Sequence, residues 1–314
     1  MERATFIQEQ IMLAPFTTLG IGGPARYFAE AKTEGEMHRA LEFAEQRQLP
    51  VFILGGGSNI LVADEGFPGL VLRVAIMGVS SRNENEKVII IAGAGEDWDS
   101  LVRQCVERGL AGIECLSGIP GLVGGTPVQN VGAYGQEVSE TIVKVRAYDR
   151  QEKRIIELGN AECGFSYRTS IFNTSERDRY IVLAVDYALT PGGRPTLRYA
   201  DVQNFFAGRK GEPMLAEVRE AVRTIRARKA MLLMPGDPDC QSAGSFFKNP
   251  IVSVEAFARI EDAARAHGVL GAEERLPRYS APDNRVKTSA AWLIERAGFT
   301  KGYRHRRVGL SAKH

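Results

Sequence analysis

Two stretches crowd glycine around polar side chains. Leu54 to Asn59 reads LGGGSN, and Leu116 to Gly135 reads LSGIPGLVGGTPVQNVGAYG, with six glycines set around Asn130. A flexible linker is rich in Ser and other polar residues, whereas here the glycines are interleaved with Leu, Ile, Val, Pro and Tyr, which pack. Backbone without a Cβ turns tightly and lets a ligand come close. Three successive glycines expose N–H groups, and Ser58 and Asn59 add polarity, which is the make-up of a phosphate-binding nest. Neither G-x-G-x-x-G nor G-x-x-x-x-G-K-[ST] is present. With TTLGIGGPARYF upstream, one half of the chain carries three glycine-rich loops. Together they suit a long, phosphate-bearing cofactor lying across a domain.

Other side chains offer chemistry one at a time. Arg168, in SYRTS, has a permanent charge and a planar fork suited to a carboxylate; a structural arginine in a surface hairpin is the plainer alternative. Ser245, in AGSFFKNP, is an ordinary loop hydroxyl unless neighbours stabilise its alkoxide. Lys229, in RARKAM, suits a phosphate as a point charge, but it also ends a charged helix. His38, His267, His305 and His314 form no Ser/His/Asp or zinc pattern. MPGDPDC, at 234–240, reads as a turn in preference to a metal loop, so no metal site is expected.

The elements that must position these residues read as α+β. EGEMHRALEFAEQRQ has helical spacing, VFIL is a strand that ends at GGGSN, and ILVAD and GLVLRV are predicted as further strands. From about Val88 a second region begins, with VIIIAGAG as strand and turn and DWDSLVRQCVERG as an amphipathic helix. TIVKVRAYDR and KRIIEL alternate like an antiparallel hairpin, and YIVLAVDYAL is a longer strand. After the PGGRP loop, a charged helix from Met214 to Lys229 leads to MPGDPDC, which looks like a domain boundary. VSVEAFARIEDAARAHG and TSAAWLIERAG are two more helices. Helices and strands alternate too irregularly for a doubly wound sheet.

The chain has 314 residues, 44% hydrophobic and 25% charged, ample for a proper core. Forty basic residues against 38 acidic ones, a net charge of +2, give no support for a nucleic-acid or polybasic membrane partner. Cys105, Cys115, Cys163 and Cys240 lack paired spacing, which favours a reducing compartment over a disulfide framework. The start, MERATFIQEQIMLAPF, has no signal-peptide core, and no run reaches about 18 apolar residues, so a cytoplasmic protein is expected.

Four motifs, LGGGSNILVADEGFPGLVLR, SGIPGLVGGTPVQNVGAYGQE, FSYRTSIF and AGSFFKNP, stand in the order and at the intervals that resemble the UDP-N-acetylenolpyruvoylglucosamine reductase (MurB) family. The resemblance runs from about Ala14 to Gly309. It implies a two-part FAD-binding domain of the vanillyl-alcohol-oxidase/MurB type, in subdomains 1–68 and 69–230, and a smaller α+β substrate domain at 231–314. It implies FAD, held non-covalently since no histidine or cysteine is placed to tether it, and NADPH as co-substrate. The implied reaction has two halves: hydride passes from NADPH to FAD, then to C3 of UDP-N-acetylglucosamine enolpyruvate, and C2 takes a proton. The product, UDP-N-acetylmuramate, serves peptidoglycan synthesis.

Carried over by residue, the resemblance assigns the flavin to Leu54, Gly55, Gly56, Gly57, Ser58, Asn59, Gly118, Ile119, Pro120, Gly121, Gly124, Gly125, Asn130, Gly132, Ala133 and Tyr134. Ser245 matches the serine that delivers the C2 proton, and Arg168 the arginine that stabilises the enolate. Tyr199 and Lys229 match positions that hold the substrate's diphosphate, and Tyr167 and Asn249 are further substrate contacts. In the family a C-terminal tail carries a glutamate that acts with this arginine and serine. The sequence stops at VGLSAKH, where that tail would begin, and no residue matches the glutamate. Glu295 lies in the helix AAWLIERAG and is not given its role, while Arg296 stands where relatives often have a glutamine near the substrate. A flavin-binding but catalytically impaired form is therefore an alternative reading. A related FAD-dependent sugar or alcohol oxidase is another, against which FSYRTS and AGSFFKNP speak. The family's tendency is to be monomeric.

Overall fold

The computed structural model describes residues 6–313 apart from Pro235, Ala272 and the side chain of Pro238; His314 and the first five residues of the amino-terminal stretch lie outside the described residues. The chain forms two compact units, Met1–Ala243 and Gly244–His314.

The first unit opens with a four-stranded sheet. β1 (Ile7–Met12) runs antiparallel to β2 (Pro24–Ala31). Helix α1 (Glu34–Gln46) follows, with the Thr33 side chain accepting the N–H of Glu36 at its start. Met37, Ala40 and Ala44, at helical spacing, form its buried stripe. β3 (Val51–Leu54) and β4 (Phe67–Val74) complete the sheet in the order β1-β2-β4-β3, with β2, β4 and β3 parallel. Residues 60–64, ILVAD, form no strand; they run as irregular chain between β3 and β4. The subdomain edge expected at 68/69 would cut β4, whose pairs with β2 and β3 put it inside the first sheet, so that sheet runs on to Val74.

A second, antiparallel sheet begins with β5 (Val79–Glu84) and β6 (Lys87–Gly93). Helix α2 (Trp98–Glu107) is capped by Asp97, which accepts the Ser100 N–H at 2.8 Å, and buries Trp98, Leu101, Val102, Cys105 and Val106. After β7 (Leu110–Ala111) comes the glycine-rich segment, which ends in a small hairpin of β8 (Gly132–Ala133) and β9 (Gln136–Glu137). β10 (Ile142–Asp149), β11 (Arg154–Gly159) and β12 (Tyr180–Pro191) give the sheet order β11-β10-β12-β6-β5, with β7 on β12. Helices α3 (Ala200–Phe205) and α4 (Leu215–Arg228) close the unit. Val218, Val222 and Ile225 of α4 pack with Val202, Cys115 and Tyr134 in a cluster of their own. Each such valine or isoleucine contributes about 1.5–3 kcal/mol when fully buried. This cluster holds Tyr134 with only 8% of its surface exposed.

The boundary expected at 230/231 lies further on, between Ala243 and Gly244. Residues 231–243 are tied back to the first unit: Met231 N–H donates to Arg226 at 2.8 Å, and Thr18 Oγ1 donates to the Ser242 carbonyl at 3.1 Å. The second unit is a sheet of β13 (Ile251–Val252), β14 (Tyr279–Ala281) and β15 (Arg285–Lys287) with helices α5 (Val254–Ala266) and α6 (Ala290–Arg296). Phe257, Leu276 and Val286 form its core. A short hairpin, β16 (Arg304–His305) with β17 (Val308–Gly309), follows. All four cysteines are free and buried. Among the described residues no helix is long and apolar enough to cross a membrane.

Candidate active site

The two glycine-rich loops meet. Leu54 ends β3 as a buried anchor, and the chain then turns through Gly55–Asn59 beside the segment around Gly121. A Cβ on Gly56 would fall 2.6 Å from the Gly121 Cα, so only glycine lets the loops approach this closely. The Asn59 Nδ2 donates to Gln129 Oε1 at 3.0 Å, a second tie between them. A Cβ on Gly55 or Gly125 would meet no protein atom within 4 Å. Among the described residues, the backbone N–H groups of Gly56, Gly57, Ser58 and Asn59 donate to no protein acceptor.

The Gly118 peptide is held on both sides. Its N–H donates to Asp99 Oδ1 at 2.6 Å, and its carbonyl accepts Arg226 Nε at 3.0 Å. Asp99, on α2, also accepts Arg219 at 2.6 and 3.0 Å and Arg223 at 2.6 Å, both from α4. Burial works to raise the Asp99 pKa, but the Arg219 hydrogen bond, the Gly118 N–H and the two guanidinium charges outweigh it and hold it below the ordinary value. Arg226 is itself buried, which lowers its pKa, and its Nη2 donates to the Met231 carbonyl at 2.7 Å.

Asn130 organises the end of the glycine-rich segment. Its backbone is left-handed, at φ +44°, and its side chain is buried. The Nδ2 donates to Glu137 Oε2 at 2.8 Å and to the Ser166 carbonyl at 3.0 Å, and Oδ1 accepts the Ser139 N–H at 3.1 Å. Arg168 then lays its guanidinium on this loop: Nη1 donates to the Asn130 carbonyl at 3.3 Å and Nη2 to the Gly132 carbonyl. A Cβ on Gly132 would lie 2.8 Å from Arg168 Nη1, so this glycine makes room for the arginine. Arg168 has φ +57°, sits over the Tyr167 ring at 5.4 Å, and belongs to a turn closed between Ser166 and Thr169. Ser170 anchors that turn by donating to the Val128 carbonyl at 2.7 Å.

A third group gathers around Tyr134. Tyr134 and Tyr199 meet edge to face at 5.5 Å, and Lys229 Nζ donates to Asp201 Oδ2 at 2.5 Å. Burial raises the Tyr134 pKa. For Lys229, burial works downward, but the hydrogen bond and charge of Asp201 raise the pKa overall. Next to Cys115 lies a network that the sequence reading did not single out. The Glu114 carboxylate, fully buried, accepts the N–H groups of Gly112 and Thr196, each at 2.8 Å, and Gln136 Nε2 at 2.9 Å. Gln136 Oε1 accepts the Cys115 N–H at 2.7 Å. The nearby Gly112 supplies one of these bonds, and the distant Thr196 and Gln136 supply the others.

In the second unit, Ser245 lies exposed on the loop before Asn249. Asn249 Oδ1 accepts the Ala290 N–H at 3.0 Å, so it caps the start of α6 together with Ser289. Arg296 donates to Glu274 and sits over the Trp292 ring at 5.3 Å. Glu295 is exposed beside it.

Comparison with known proteins supplies the family. Residues 25–159 match the FAD binding domain family, and residues 237–314 match the C-terminal domain of UDP-N-acetylenolpyruvoylglucosamine reductase. A UDP-N-acetylenolpyruvoylglucosamine reductase of Thermobifida fusca is 49% identical over 99% of this chain and 87% of its own length. One from Streptomyces coelicolor is 46% identical over 96% of this chain and 78% of its own. The chain belongs to the UDP-N-acetylenolpyruvoylglucosamine reductase family. Among solved structures, the family's enzyme from Thermus caldophilus aligns with a TM-score of 0.55, 27% identity, and coverage of 93% of this chain and 94% of that one.

As a UDP-N-acetylenolpyruvoylglucosamine reductase family member, the chain is a flavin oxidoreductase that uses FAD. The first unit fits that cofactor on its own geometry. At Gly55 and Gly125 neither a positive φ nor a packing neighbour demands glycine, whereas a ligand lying over both loops would. The N–H groups of Gly56 to Asn59 form a run of donors with no protein acceptor among the described residues, the arrangement a diphosphate takes.

Proposed function

We propose that this chain reduces UDP-N-acetylglucosamine enolpyruvate to UDP-N-acetylmuramate with NADPH, acting as a monomer in the cytoplasm. The loops at Leu54–Asn59 and Gly118–Tyr134 hold FAD, which when bound supplies the hydride chemistry between NADPH and the enolpyruvyl C3. Tyr199 and Lys229 hold the substrate's diphosphate, with Tyr167 and Asn249 as further contacts. Arg168 pairs with the substrate carboxylate and stabilises the negative charge that builds on it in the transition state. Ser245 Oγ passes a proton to C2; the hydroxyl is a weak acid, so its neighbours must stabilise the alkoxide as the proton leaves.

The observation that carries the reading is the fixing of the Arg168 guanidinium on the Asn130 and Gly132 carbonyls, at the end of the glycine-rich segment. An arginine so held is pre-positioned, with little rearrangement left to make during reaction. The test is an anaerobic flavin spectrum, with NADPH added first and the enolpyruvyl nucleotide sugar second. The expected result is bleaching by NADPH and recovery on substrate. Arg168→Ala and Ser245→Ala are expected to keep the bleaching and slow the recovery by about 10²–10³-fold. Recovery at the native rate in both variants would overturn the assignment of these roles.

A further inference from the structure

Lys229 closes helix α4, and its ammonium is engaged by Asp201, in the first turn of α3, at 2.5 Å. The two side chains are 39% and 36% exposed, so the pair stands open to a ligand. Tyr199 immediately precedes α3, and its ring meets Tyr134 edge to face. Charged and titratable groups around the pair are thus Tyr134, Tyr199 and Arg226, and Asp201 is the carboxylate among them. A carboxylate beside a cation carries the same sign of charge as a diphosphate and would compete with one for that cation.

Resting on the reading of Lys229 as a diphosphate contact, we propose that Asp201 is a specificity-determining residue: its carboxylate competes with the substrate's diphosphate for Lys229. A half-buried ion pair that solvent still reaches is weak enough to be exchanged. The group that replaces it must bring more negative charge to Lys229 than one carboxylate does, so Asp201 screens out neutral and weakly charged ligands. A helix-to-helix staple between α3 and α4 makes the opposite demand, since removing the carboxylate would then loosen Lys229 and weaken binding.

The FAD-loaded protein is titrated with uridine diphosphate at low and at high salt, as the native chain, Asp201→Asn, Lys229→Ala and the double variant. Lys229→Ala is expected to weaken binding about tenfold. Asp201→Asn is expected to tighten it about fivefold at low salt, with the gain shrinking at high salt as screening sets in. In the double variant the gain is expected to vanish. Flavin absorbance and melting temperature establish that each variant is folded, and Asp201→Glu is expected to bind as the native chain does. If Lys229→Ala weakens binding while Asp201→Asn leaves it unchanged or weaker, the pair is a staple and the proposal falls. If Lys229→Ala has no effect, the diphosphate reading of Lys229 falls, and the proposal with it.

Discussion

Gly56 and Gly121 touch through bare backbone, with a Cβ on the first only 2.6 Å from the Cα of the second. One comes from the loop after β3 of the first sheet, the other from the segment between β7 and β8, so this contact joins the two halves of the flavin-binding unit.

Replacing Gly56 therefore acts differently from replacing Gly55. Gly56→Ala drives the loops apart and is expected to lower both FAD occupancy and the melting temperature. Gly55→Ala meets only open space, so the apo-protein is expected to melt within about 0.5 kcal/mol of native. Its FAD affinity is expected to drop about tenfold, or about 1.4 kcal/mol. Flavin-to-protein absorbance ratios and apo-protein melts would separate the two; unchanged FAD affinity in Gly55→Ala would remove the loop from the cofactor.

Gly132→Ala tests the seat of Arg168 without touching the arginine. The added methyl would lie 2.7 Å from Glu137 Cγ, 2.8 Å from Arg168 Nη1 and 2.9 Å from the Gln136 carbonyl oxygen, so the guanidinium and the hairpin beside it must both shift. Displacement of a fixed charge by about 1 Å is expected to slow the substrate half-reaction about 10²-fold. Stopped-flow recovery of the oxidised flavin, after reduction by NADPH, is the readout.

The Asp99 node is expected to show itself in acid. With its pKa held below the ordinary value, its contribution is fully present above the unfolded carboxylate pKa of about 3.9 and is lost as the pH falls through the folded value. Asp99→Asn is expected to cost about 2–3 kcal/mol at pH 7, from weakened charge-assisted bonds to Arg219, Arg223 and the Gly118 N–H. Denaturant melts of the two proteins should converge below the folded pKa; a pH-independent gap would contradict the assignment.

The buried thiols give a simple probe of the core. Burial pushes Cys105 and Cys163 up to about 12 each, and Cys115 higher still. At pH 8 these three are expected to resist a thiol reagent in the native protein and to react once it is unfolded. Rapid native-state labelling of any of the three would mean that its part of the core opens.

The sequence made the local elements legible where one periodicity ruled. The α1, α2 and α4 stripes and the long β12 strand follow from spacing alone. ILVAD carries strand composition but forms no strand, because tertiary setting, not propensity, decides strand pairing. The edge at 68/69 was misplaced for a related reason: β4 pairs backwards to β2 and β3, which no local signal marks. At the candidate site, the glycine motifs marked the two loops that meet, but each glycine's purpose was hidden. Gly132 serves Arg168, and Gly56 serves Gly121. Glu114, Gln136 and Asp99 carry no motif, since their partners lie far along the chain.

The buried carboxylate of Glu114 also sets an order in time. It accepts the N–H of Thr196, 82 residues further along. During synthesis, Glu114 leaves the ribosome long before that partner exists. Sealing the carboxylate in without it would bury an undersatisfied charge. Full satisfaction of the carboxylate therefore waits for Thr196 to emerge. The strands of the second sheet are thus all made before this carboxylate gains its last partner.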